Sequence, residues 1–438
     1  MFKLTFLGAG STIFAKNVLG DCILTPELGE FEIALFDIDP IRLDDSFQMI
    51  TNINRNYNGK AIIKKYLNRK EALRGAKYIV NAIQVGGYKP LTVVDFEITK
   101  KYGLRHTIGD TLNVPGIFRA LRTIHVLEDI AKDIKEVCPD ALFLNYSNPM
   151  AMLTGYLDKY LGINVIGLCH SVQVCAKGLL ETFKMEHLLP EVKWKIFGIN
   201  HQAWLLEIKD GQGHDLYPLI KGKNLESGDK YNKKWDLVRL EMMKKFGYYI
   251  TESSEHTAEY TPWFIKDKYP ELIERFNIPL DELLRRYEQQ VQDWEKMRVH
   301  VVENAKLEHT KSHEFASYII NAIENDVEFI VHGNVMNTNK LIDNLPLEAC
   351  VEVPCIVNKS GIKPQACGPL PEICAAINRT NINVQIMTML GAYHRRKDMI
   401  FQAAALDPHT ASELSLDDIQ SLVDDMFEAE KAWLPKYK

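Results

Sequence analysis

The chain has 438 residues, 46% hydrophobic and 25% charged, the balance of a globular protein rather than a disordered or fibrous one. Its 52 basic and 58 acidic residues leave a net charge of −6 with the two signs interleaved, which argues against nucleic acid and anionic membrane as partners. No apolar run approaches the roughly 18 residues of a spanning helix, the opening MFKLTFLGAGST enters a strand and a glycine turn at once, and no two of the 8 cysteines stand at C-x-x-C spacing. These features predict a cytoplasmic protein without a disulfide framework or a zinc knuckle.

Continuously apolar runs at 3–8, 32–37, 77–83, 141–146 and 165–169 alternate with amphipathic stretches such as 41–57 and 117–137. That alternation predicts a parallel sheet covered by helices on both faces. Pro149 suits the first turn of the helix that follows the NYS strand. Past residue 190 the character changes. VKWKIFGI and AWLLEIKDG alternate like antiparallel strands, 221–234 reads as a polar, Lys-rich surface excursion, and 280–306 and 312–323 carry helical periodicity. Further strands are predicted at 329–335 and 350–357, and a closing amphipathic helix at 417–433. The expected fold class is α/β, with a doubly wound, Rossmann-type domain of the lactate/malate dehydrogenase kind over 1–190 and an α+β domain over 191–438.

Gly8-Ala9-Gly10-Ser11-Thr12 ends the first strand and opens a helix, the setting in which backbone amides approach a pyrophosphate. Ile13 replaces the third glycine of the fingerprint, but Asp37 closes the next strand where a carboxylate accepts from an adenosine ribose, and so points to NAD rather than NADP. The alternative is a glycine turn with a helix-capping Asp. Cys169 and His170 end the fifth apolar run, at the sheet edge where ligands bind, and His201 lies in the turn between two later strands. A thiolate and an imidazole are half a coordination sphere for a divalent metal. Taken singly, each is more often a buried hydrophobe or a satisfied polar group. Polar loops are expected at Thr107-Ile108-Gly109-Asp110-Thr111 and at 251–260, where three carboxylates, His256 and Tyr260 could supply a general base or merely cap a helix. Asn145 and Asn148 could hold sugar hydroxyls or a nicotinamide amide, and Asn148 could equally be a helix N-cap.

GAGST, DIDP, IQVGGYKP, YGLRHTIGDT, NYSNPMAM, GLCHSV, GINHQAW and TESSEHTAEYTPWF follow in that order, with LIDNLP, TNINVQ and DPHTA nearer the C-terminus. In these motifs the chain resembles glycoside hydrolase family 4, most closely its bacterial α-galactosidase branch. The resemblance implies an NAD- and metal-dependent glycosidase, an exception to hydrolysis by two carboxylates. Oxidation at sugar carbon 3 acidifies the proton on carbon 2, a base removes it, the aglycone leaves, water adds, and the hydride returns. Carried over by position, Cys169 and His201 would ligate Mn2+ or another divalent transition metal. Tyr260 would be the base, helped by Asp110, and Asn148 would hold the sugar. His170 stands where a sister branch has an aspartate proton donor, and an imidazole with a pKa of about 6.5 can fill that role. The resemblance also implies a homodimer or homotetramer, with the second domain completing the substrate and metal site and carrying oligomerisation.

The missing Arg in GGYKP and the CHS triplet favour an unphosphorylated α-galactoside, with an α-glucoside or α-galacturonide as the alternative substrate. Three departures from the family pattern are expected to shift substrate choice or lower activity. Thr111-Leu112-Asn113-Val114-Pro115-Gly116 replaces TLG-x-GG, Val174-Cys175 replaces Gly-Thr, and His313 stands where an Arg is expected. The rivals are an NAD-dependent 2-hydroxy acid dehydrogenase, which needs no Cys/His metal pair, and an NAD-sensing relative without catalysis.

Overall fold

The computed structural model describes residues 1–438 apart from 227, 229 and 313. Six strands, β1 (Phe2–Leu7), β2 (Phe31–Phe36), β3 (Ala61–Tyr66), β4 (Tyr78–Asn81), β5 (Leu142–Asn145) and β6 (Val165–Leu168), pair in parallel in the order β3-β2-β1-β4-β5-β6. The order reverses between β1 and β4, and a doubly wound sheet binds its ligand beyond the carboxyl ends of the strands at that reversal. Leu4, Phe6, Ile79, Val80, Phe143 and Leu144 are wholly buried because helices cover both faces, which is why these strands read as apolar runs. The runs at 77–83 and 141–146 overshoot β4 and β5 at both ends. No apolar run announces β3, whose AIIKKY lies on the open edge, where lysines discourage pairing with another chain.

The sheet continues through β7 (Lys193–Ile199), β8 (Gln202–Lys209), β9 (Tyr249–Ile250), β10 (Phe329–Met336), β11 (Cys350–Asn358) and β12 (Gly361–Pro364). β10 pairs antiparallel with β6, Gly333 against Leu168 and Asn334 against Gly167, so one 12-stranded sheet runs on through β11, β7, β8 and β9, with β12 on β11. VKWKIFGI and AWLLEIKDG form the predicted hairpin, whose turn is Asn200-His201 between the paired Ile199 and Gln202.

The helices Asn113–Val137, Glu282–Val302, Ala316–Asn325 and Leu416–Ala429 are each offset by a few residues from a predicted range. The predicted excursion at 221–234 starts inside a helix, Tyr217–Leu225, and contains residues 227 and 229, outside the described set. The helix Glu372–His394 has no counterpart in the sequence reading. It packs against the helices Asn113–Val137, Met150–Lys159 and Lys397–Leu406, and its buried residues include Asn378, Asn381, Gln385 and Thr388, so no clean apolar stripe marks it. Among the described residues no helix is long and apolar enough to cross a membrane.

The C-terminal helix is fastened by charge. Arg122, 1% exposed, donates from Nη2 to Asp95 Oδ2 at 2.7 Å and from Nη1 to Glu430 Oε1 at 3.0 Å. Arg122→Ala strands two buried carboxylates and is expected to destabilise the protein by about 3–5 kcal/mol, read as a lower melting temperature.

Candidate active site

The first glycine turn is shaped by close approaches. Gly8 has φ 86°, and a Cβ there would meet the backbone of Ala82 at 2.8 Å; a Cβ on Gly10 would meet Asp37 Oδ2 at 2.8 Å. Gly10 N donates to Asp37 Oδ2 at 2.6 Å and Asp39 N to Oδ1 at 2.9 Å. Asp37 therefore braces the glycine turn while staying partly open to solvent, and it does not cap the next helix, whose cap is Asp39. Ser11 Oγ is buried without a partner among the described residues, and Thr12 takes φ 40°, a strained value for a β-branched residue. A tight turn, an orphaned hydroxyl and a carboxylate at a strand end fit the pyrophosphate and ribose of a dinucleotide.

At the far side of the sheet edge, β6 delivers Cys169 and the β7–β8 hairpin delivers His201, whose φ of 60° turns it inward. Cys169 and His201 lie close enough to interact by charge, and Cys169 Sγ donates to Ser171 Oγ at 3.4 Å. Burial opposes charge on both. Even so, His201 brings the thiol below its ordinary value, and the thiolate lifts the imidazole to about 10. A thiolate and an imidazolium side by side are well suited to exchange the imidazolium proton for a divalent cation.

Tyr260 ends the helix Ser254–Glu259 with its hydroxyl 2.9 Å from His256 Nδ1 and 3.1 Å from His201 Nδ1. Burial, reinforced by Glu259 and Asp110, pushes its phenol well above the usual value, so ionising it requires added positive charge nearby. The capping alternative holds for Ser253, which accepts from His256 N at 3.3 Å. It fails for Glu259, wholly buried, which accepts from Thr107 N at 2.9 Å, Ile108 N at 3.2 Å and Gly109 N at 2.9 Å. One carboxylate thus locks the helix of Tyr260 to the loop of Asp110.

Asp110 accepts from Thr111 Oγ1 at 2.7 Å and from Asn148 Nδ2 at 3.1 Å. Burial would raise its carboxyl, but the charges of Arg119 and His256 outweigh that and hold it below the usual range. Asn148 is not a helix cap, because the following helix starts at Met150 with Pro149 before it rather than in its first turn. Asn145 is structural: fully buried, it accepts from Asn81 Nδ2 at 3.0 Å and donates to Thr154 Oγ1 at 3.2 Å. His170 lies one residue beyond Cys169, half-exposed, with Nε2 3.0 Å from Glu314 Oε2 and its ring stacked on Phe315.

The altered loop keeps the shape that glycine would give. Asn113 adopts φ 60°, which asparagine tolerates, and donates to Glu259 O at 2.7 Å and Asp407 Oδ1 at 2.9 Å. Gly116 is retained where a Cβ would meet Thr111 C at 2.7 Å. Asn113→Ala is expected to cost about 1–3 kcal/mol per lost buried hydrogen bond and to lower the melting temperature more than Asn113→Gly, which keeps the backbone relaxed. Cys175 is buried in the packing of its own helix and Val174 is exposed. His313 lies outside the described residues.

Cys169, His201, Tyr260, Asp110 and Asn148 thus form one connected cluster, with His170 beside Cys169. Two further members, His256 and Glu252, stand in the sequence only among the polar groups of 251–260 with no role singled out, and a third, Arg119, is not marked there at all. His256 stands one helical turn before Tyr260, a spacing that puts both on one face and could have singled it out. Arg119, on the helix Asn113–Val137, donates to Asn148 O at 3.3 Å, and Glu252 faces His201 and His256. Nothing local to either residue signals those contacts.

A Rossmann-type sheet whose carboxyl end gathers a Cys/His pair and a buried tyrosine defines a nucleotide-dependent enzyme class rather than a plain two-carboxylate hydrolase. Residues 3–185 match the family model "Family 4 glycosyl hydrolase" and residues 196–410 the model "Family 4 glycosyl hydrolase C-terminal domain". The chain is 57% identical to an alpha-galactosidase of Bacillus subtilis over 100% of both chains. It is 34% identical to an alpha-galactosidase of Rhizobium meliloti over 100% of this chain and 90% of that one. Its fold matches a 6-phospho-alpha-glucosidase from gut microorganisms, solved in complex with NAD and Mn2+, with TM-score 0.79, 19% identity and 100% of both chains covered. The chain belongs to family 4 of the glycosyl hydrolases.

Proposed function

We infer that this protein is an NAD- and divalent-metal-dependent α-galactosidase acting on unphosphorylated α-galactosides. The observation that carries the reading is the contact of Tyr260 OH with His201, itself beside Cys169, on the sheet edge that also bears the Gly8–Asp37 turn. The 57% identity to an alpha-galactosidase supports the choice of sugar.

Gly8, Gly10, Ser11, Thr12 and Asp37, in the 1–190 unit, hold NAD, and Cys169 and His201 hold manganese or a similar ion between that unit and 191–438. When bound, the two supply reversible oxidation at carbon 3 of the sugar and the positive charge that acidifies the neighbouring C–H. Tyr260, its phenolic proton first passed to His256 Nδ1 2.9 Å away, takes the proton from carbon 2 as a phenolate held by His201 and His256. Asp110, held ionised beside it, favours the return of that proton to the cluster. Asn148, oriented by Asp110, accepts and donates to sugar hydroxyls. His170, half-exposed next to Cys169, gives a proton to the departing glycosidic oxygen. A working Cys169 thiolate requires reducing conditions, which supports action in the cytoplasm.

Comparing 4-nitrophenyl α-galactoside, α-glucoside and α-galacturonide under reducing conditions with NAD and Mn2+ tests the substrate. The galactoside is expected to be turned over fastest; preference for either of the others would reassign the sugar.

A further inference from the structure

The 251–260 segment carries three carboxylates, and two have evident partners. Glu255 pairs with Arg286 at 2.8 Å, and Glu259 accepts backbone amides. Among the described residues, the Glu252 carboxylate is paired with neither an arginine nor a run of amides. Its carboxylate oxygen and ring nitrogens of His201 and His256 all lie within 4.8 Å of one another.

The backbone is bent to put it there. Glu252 has φ 73°, a conformation that a side chain bears with strain and glycine adopts freely. Neighbouring contacts hold that conformation. Thr251 N donates to Ala203 O at 2.9 Å and Ala203 N to Thr251 Oγ1 at 3.2 Å, tying the segment to the His201 hairpin. Arg239, buried and 2.5 Å from Asp236 Oδ1, donates from Nη1 to Glu252 O at 2.5 Å. Ser253 then caps the helix that ends at Tyr260. Strain that so many contacts maintain, at a residue pointing a carboxylate at two imidazoles, marks a functional position.

Donor chemistry says what that function is. A thiolate and an imidazole alone suit soft or borderline ions such as zinc, whereas manganese favours carboxylate oxygen. Asp110 has both oxygens engaged by Thr111 and Asn148 and is less free to serve. We propose that Glu252 is a third protein ligand of the divalent metal, beside Cys169 and His201, and that its oxygen tilts the centre toward Mn2+. This inference rests on the metal-centre reading above.

The test is Mn2+ and Zn2+ binding, followed by paramagnetic resonance and by competition, to reduced, NAD-loaded wild type, Cys169→Ser, Glu252→Gln and Glu252→Gly. Glu252→Gly removes the carboxylate and relaxes the backbone, so its melting temperature is expected to equal or exceed that of the wild type. Both Glu252 variants are expected to bind Mn2+ about tenfold to a hundredfold more weakly, with Zn2+ binding changed far less. Wild-type Mn2+ affinity in Glu252→Gln would overturn the proposal, and a raised KM for the galactoside in that variant would make Glu252 a sugar-binding residue instead. Should Glu252→Gly fail to fold, Glu252→Gln decides. Absence of Mn2+ binding by the wild type, or its persistence in Cys169→Ser, would instead defeat the metal-centre reading itself.

Discussion

Replacing Cys169 by serine is expected to lower α-galactoside hydrolysis by about a thousandfold or more while leaving NAD affinity unchanged. A serine hydroxyl does not ionise near neutrality, so the thiolate that holds His201 charged is lost together with the proposed metal ligand. Several kcal/mol of charge stabilisation at the sugar oxygens would go with the ion, at about 1.4 kcal/mol for each factor of ten. The nucleotide turn is built by β1, β2 and the Gly8–Thr12 segment and does not depend on Cys169. Nitrophenol release and a fluorescence titration with NAD measure the two quantities. Cys169 is also distinct from the other cysteines: burial pushes Cys22, Cys175, Cys355 and Cys374 up to about 12, and Cys138 and Cys367 up to about 11. Iodoacetamide is therefore expected to label Cys169 first, as read by peptide mass spectrometry, and Mn2+ to slow that labelling.

Tyr260→Phe is expected to reduce turnover by about 10²–10⁴-fold, the range for loss of a positioned general base. It is also expected to abolish uptake of deuterium from solvent at carbon 2 of the released sugar. The ring of Phe fits the same buried site and keeps the ring packing against His256, losing only the hydroxyl's bonds to His201 and His256. NAD and Mn2+ binding should therefore survive, separating chemistry from assembly. Deuterium uptake at the wild-type level in Tyr260→Phe would move the base to another group.

The parts of the molecule that were legible in the sequence are those whose physics is local. The Gly8–Gly10 turn and Asp37 announce themselves because a left-handed backbone, a close approach and a carboxylate at a strand end are set by neighbouring residues. Cys169 and His201 could be placed at a strand end and in a hairpin turn, but their union needs β10 and β11 to lie between β6 and β7 in the sheet. That order is a long-range fact, and only the family resemblance anticipated it. Arg119 and Glu252 were illegible for the same reason, since their partners lie on other elements. The loop 111–116 shows the converse. Read as a loss of glycine flexibility, it keeps its conformation because Asn113 tolerates φ 60° and anchors to Glu259 and Asp407.

The reaction this fold is built for is cleavage of a glycoside through a transient oxidation. Its most direct test is release of 4-nitrophenol from the α-galactoside by reduced protein supplied with NAD alone, Mn2+ alone, both or neither. Release only when both are present, with no net NADH accumulating, is the predicted result. Release without NAD would contradict the account by making the enzyme an ordinary hydrolase, and NADH accumulation without release would make it a dehydrogenase.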